Sequence, residues 1–162
     1  MQRLAMAGLV ECELPRAQVA RRRRIFVTSD INDLFIGNVK ANPEFPCDNA
    51  DHLIGIFVRG NIVGVSRSHR SRCELKWLRN LPECWVFNFR TPPPGWRLFG
   101  RFAKKNVFIG LHCVSREDAG DLVQYASHSK LMVEKWNALF PNEDPFIGDS
   151  FEDYLGDMVV ER

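Results

Sequence analysis

The chain has 162 residues, 45% of them hydrophobic and 26% charged, with a formal net charge of +2. That size favours one domain able to bury its own core, and the composition excludes wholesale disorder, a collagen-like repeat and a membrane bundle. No apolar run approaches the roughly 20 residues a membrane-spanning helix needs. The arginine run 21–24 follows the mildly apolar residues 1–10, whereas a secretory signal puts charge first, so the expected location is the cytoplasm, with no membrane partner.

The small net charge conceals an asymmetry. Residues 1–116 carry +10 and residues 117–162 carry −8. A basic body with an acidic end reads as a polyanion-binding surface, as an acidic segment that covers it, or as two solvated faces. Cys12, Cys47, Cys73, Cys84 and Cys113 form no CxxC pair, and their spacings to the four histidines fit no zinc template. Free thiols are expected, with no metal and no cofactor.

Residues 1–24 read as a basic arm interrupted by Pro15, with a short helix from Ala17 into the arginines. Ile25 to Thr28 is β-branched and aromatic, a first strand. Ser29 or Asp30 then caps a helix with Ile31, Leu34, Phe35 and Val39 at helical spacing, stopped by Pro43 and Pro46. Residues 51–65 read either as a helix or as a hairpin turning at Arg59-Gly60-Asn61. Residues 66–72 form an exposed basic loop, and Leu75, Trp77, Leu78 and Leu81 are apolar anchors.

The clearest pattern lies between Trp85 and Val114. Large aromatics at 85, 87 and 89 alternate with Val86, Asn88 and Arg90, a half-buried strand. The prolines 92–94 force a loop, Trp96 to Phe102 is a second strand, and Val107 to Val114 a third, giving an antiparallel meander. Ser115 caps a helical region carrying two apolar stripes to about Phe140. Residues 141–162 are an acidic tail in which Asp149 or Ser150 caps a short helix through Met158. The tail is expected to fold over the basic sheet or the arginine run of the same chain, or of a second copy.

Motifs for phosphate loops, nucleophile elbows and HExxH zinc sites are absent from the sequence. What remains is a row of cations on the meander. Arg90 ends one strand, Arg97 and Arg101 share a face of the next, Lys104 and Lys105 occupy its turn, and Arg116 follows the third. Guanidinium groups fork onto phosphate oxygens and stabilise charge developing on phosphorus. His112 is the imidazole on the meander suited to taking a proton from a ribose 2′-hydroxyl, against the plainer alternative of a hydrogen-bonded core residue.

The stretch LRNLPECWVFNFRTPPPGWRLFGRFAKKNVFIGLHCVSRED resembles the core of the RelE/ParE toxin superfamily, particularly its HigB-like, phage-derived branch. Gly95-Trp96-Arg97-Leu98-Phe99 matches the family's second meander strand and Val107 to Arg116 its third. The likeness spans residues 25–140. It implies an α+β fold: a small antiparallel sheet, made of the three-strand meander plus the N-terminal strand, packed against helices. It also implies a toxin–antitoxin toxin that cleaves messenger RNA on the ribosome, with an antitoxin and RNA as partners and a homodimer left open. On that reading Arg97, Arg116 and His112 are catalytic, while Arg90, Arg101, Lys104 and Lys105 hold RNA. Val86 and Asn88 stand where the family has lysines, and position 122, where it has a tyrosine, is Leu122. The alternative is a binding protein on the same fold, without catalysis.

Overall fold

The computed structural model describes residues 7–12, 22–37, 42, 44–68, 70–78 and 81–162. The expected helix at 17–24 and the end of the first helix near Val39 fall largely outside them. Eight strands are described: β1 (Val10–Glu11), β2 (Arg24–Val27), β3 (Val63–Ser66), β4 (Leu75–Leu78), β5 (Cys84–Phe89), β6 (Trp96–Lys104), β7 (Val107–Ser115) and β8 (Val159–Glu161). With them go helices α1 (Ser29–Phe35), α2 (Cys47–Val58), α3 (Arg116–Ala119), α4 (Leu122–Leu139) and α5 (Phe151–Leu155).

All eight strands join one sheet in the order β1-β2-β7-β6-β5-β4-β3-β8. This corrects the small antiparallel sheet expected from the sequence. The meander β5-β6-β7 is antiparallel, but β2 runs parallel to β7, and β3 runs parallel to both β4 and β8. The sheet grew because segments read as arm, anchors and tail supply further strands: β1 and β8 at the two edges and β4 inside. Each is only two to four residues long, too short for alternation to announce it.

Between β2 and β3 the chain resolves the helix-or-hairpin choice. Ala50, Ile54, Phe57 and Val58 are buried at helical spacing on α2. Gly60 then takes φ +73°, its N–H bonding Phe57 O while Asn61 N–H reaches Ile56 O. That pairing is a Schellman stop, and it needs the left-handed residue glycine supplies.

Apolar side chains pack on both faces of the sheet. One face buries Trp85, Phe87, Phe89, Leu98 and Phe102 against α1, α2 and α5; the other buries Val86, Phe99, Ile109 and Leu111 under Met132, Trp136 and Phe140, which lie on α4 and just beyond it. Hence β5 is buried at every residue, not half-buried as its alternation suggests. A bulge at Phe99/Gly100 bends β6 against β7, and a Cβ on Gly100 would meet Ile109 O at 2.2 Å.

The acidic tail is part of this body. Ser150 caps α5 with a capping box, Phe151, Tyr154 and Leu155 enter the core, and β8 extends the sheet. Arg23, from the arginine run, is 2% exposed and donates to Leu155 O, Met158 O and Asn61 O at 2.9–3.0 Å. Arg24 pairs with Glu11.

Candidate functional site

One face of the sheet is covered by α4 only along β6 and β7. Where β4, β5 and the start of β6 emerge from under it, a cavity of about 440 Å³ remains. Its floor is a strip of residues on the same face: Lys76 and Leu78 from β4, Asn88 from β5 and Arg97 from β6. Register sets this strip, since Lys76 pairs with Val86 and Asn88 with Arg97. Two strand spacings of about 4.8 Å and a two-residue offset along the strands put the Cα atoms of Lys76 and Arg97 roughly 12 Å from each other. One wall is the loop residues Arg70, Ser71 and Arg72; the other is the α3–α4 junction, with Arg116, Gly120, Asp121, Leu122 and Tyr125, while Arg90 closes the end of β5.

The junction is built locally. Ser115 Oγ accepts from Asp118 N–H to start α3, Gly120 ends it, and Asp121 with Gln124 forms a capping box that starts α4. Tyr125 is thereby aimed at the strip. Its hydroxyl accepts from Arg97 Nε at 2.9 Å, and Arg116 Cζ lies 5.8 Å from its ring centroid. Arg97 also donates to Trp96 O (2.8 Å), Arg116 to Gly120 O (2.7 Å) and Arg90 to Cys73 O (3.2 Å). These bonds go to carbonyls and a phenol, which fix the guanidinium groups without cancelling their charge. Among the described lining residues the one carboxylate is Asp121, and its Oδ1 accepts from the N–H groups of Val123 and Gln124.

Cations gathered in a half-buried place disfavour one another's charge. Burial lowers the Lys76 ammonium pKa, with Arg90, Arg97 and Arg116 acting in the same sense. Arg97 is lowered too, first by burial.

Of the residues expected from the sequence, Arg90, Arg97 and Arg116 come together here; the others lie elsewhere. Arg101 shares the face of Arg97 but is 6% exposed beneath α4, donating to Pro82 O with its Cζ 5.8 Å from the Trp136 ring centroid. Lys104 and Lys105 are exposed at the far end of β6, roughly 23 Å from Arg97 at about 3.3 Å per residue. His112 packs between Phe99 and His128 under α4: its Nε2 is 2.9 Å from His128 Nδ1, and His128 Nε2 is 3.0 Å from Asp118 O. The carbonyl assigns the proton on His128 to Nε2, so His112 donates to Nδ1. Burial holds the His112 imidazole down to about 4, with Lys135 and His128 adding to the effect. It is half-buried and hydrogen-bonded, and it does not line the cavity.

Sequence reasoning missed Lys76, because β4 was read as a set of apolar anchors. The alternation of Leu75 and Trp77 with Lys76 and Leu78 was the available signal. Tyr125 could be found only from the helix break at Gly120, which resets where α4 begins. All five cysteines are free, and the described residues contain no cluster of three or more His, Cys, Asp or Glu arranged to hold a metal. No described helix is long and apolar enough to cross a membrane. No family model, curated protein or solved structure matches the chain.

Proposed function

We propose that the cavity holds an RNA phosphodiester and that the chain cleaves it by attack of the neighbouring 2′-hydroxyl. The observation that carries this reading is the convergence of Arg90, Arg97 and Arg116 with Lys76 and Tyr125 on one cavity. Lys76, with its lowered pKa, takes the 2′-hydroxyl proton. The ribose oxygen then bonds to phosphorus, and the arginines stabilise charge on the equatorial oxygens. As the bond from phosphorus to the 5′-oxygen breaks, Tyr125 supplies its phenolic proton. The products are a 2′,3′-cyclic phosphate and a 5′-hydroxyl end. The Gly95–Phe99 resemblance supports ribosome-bound messenger RNA as the substrate and a toxin with a cognate antitoxin as the biological setting.

The test is incubation with translating ribosomes and mapping of new 5′-hydroxyl ends. Cleavage is expected from the native chain; wild-type cleavage by Arg97→Ala would overturn the assignment. A second reading, a protein that grips the strand without cutting it, is favoured by His112 lying outside the cavity. Tight binding with no new ends, and harmless expression, would select it.

A further inference from the structure

The cavity is not uniformly basic. Leu78 from β4 and Leu122 from the first turn of α4 line it together with the arginines. Leu122 is 57% exposed and its neighbour Val123 75% exposed. The Asp121–Gln124 capping box fixes the turn that carries both. A leucine open to water at Leu122, across from the half-buried Leu78 and beside a cluster of cations, matches a ligand with a flat apolar part next to a negative charge. An unpaired nucleotide has that form. A base inside a duplex does not, because its faces are already stacked.

Resting on the phosphate-binding reading above, we propose that Leu78 and Leu122 form a nucleobase subsite, which makes the ligand class single-stranded nucleic acid and not polyanions in general. The arginines take the phosphate, and the base flanking that phosphate lies against the two leucines. Aliphatic contact is indifferent to base identity, so the subsite selects for an unpaired base without reading its sequence.

The test is competition binding, at near-physiological salt, with three probes of matched charge: a 2′-O-methyl RNA strand that cannot be cleaved, an abasic strand of the same length, and inorganic polyphosphate. The base-bearing strand is expected to bind about tenfold more tightly than the other two. Leu122→Ser, a change at an exposed position that leaves folding intact, is expected to remove most of that preference while polyphosphate affinity stays the same. Equal binding of abasic and base-bearing strands, or an unaltered preference in Leu122→Ser, would overturn the subsite and leave phosphate binding standing. Failure of all three probes to bind would overturn the phosphate reading and this inference with it.

Discussion

The two faces of the sheet put aromatic and cationic side chains to opposite uses. On the face covered by α1, α2 and α5, Trp85, Tyr154, Phe102, Phe108 and Phe87 interlock in a chain of ring contacts at centroid distances of 4.8–5.3 Å, and Arg23 is sealed against carbonyls with its Cζ 5.5 Å from the Phe57 ring centroid. On the other face α4 stops short, so Arg97, although only 7% exposed, still lines the cavity, while Arg101, four residues further along the same side of β6 and 6% exposed, lies beneath the helix. Where the covering helix begins decides whether a buried arginine borders a cavity or is enclosed on every side.

The largest effect expected on the closed face comes from Trp85. Trp85→Ala should cost about 3–5 kcal/mol in denaturant unfolding, by lost burial and the cavity left behind. Trp85→Phe should cost much less, since the indole N–H finds no partner among the described residues and its removal relieves a buried orphan donor. On the open face, Arg97→Lys keeps a cation but loses the fork and the bond to Tyr125. Cleavage should fall roughly 100-fold, about 2.7 kcal/mol in the barrier, with the melting temperature within a few degrees of wild type. A melting temperature that collapses along with activity would assign Arg97 to the scaffold.

The strip under α4, between the two regimes, should respond to pH. His112 sits at about 4 in the folded chain against 6.5 unfolded. Between those values the unfolded state binds more protons, so stability present at neutral pH is lost as pH falls from 6.5 towards 4, by on the order of 2 kcal/mol. His112→Gln should flatten that part of the stability profile, measured as the difference from wild type. The smallest effect belongs to the far end of β6: Lys104→Ala with Lys105→Ala should change RNA affinity less than twofold. A large loss there would extend the binding surface along the strand.

How much of this was legible in the sequence follows from pattern length. The six- and nine-residue meander strands announce themselves through aromatic alternation and the proline loop, and period-2 spacing puts Arg97 and Arg101 on one face. What alternation cannot convey is which part of a face a later helix covers or how far along a strand a cation lies, so α4 separates Arg101 and His112 from Arg97, and the length of β6 separates Lys104 and Lys105. Lys76 was hidden for the converse reason. It sits on a four-residue strand, and only its register opposite Val86 brings it beside the arginines.

Arg23 also has a bearing on biosynthesis. Its carbonyl acceptors at Leu155 and Met158 lie 132 and 135 residues further along. During translation this guanidinium therefore waits, hydrated, while more than 130 further residues are added. The compartment it occupies can be completed only after those acceptors have left the exit tunnel, so closure of this part of the body comes late relative to the synthesis of Arg23. A nascent chain arrested before residue 155 would carry an uncompensated cation at the margin of its core and offer quality-control proteases an unfinished surface.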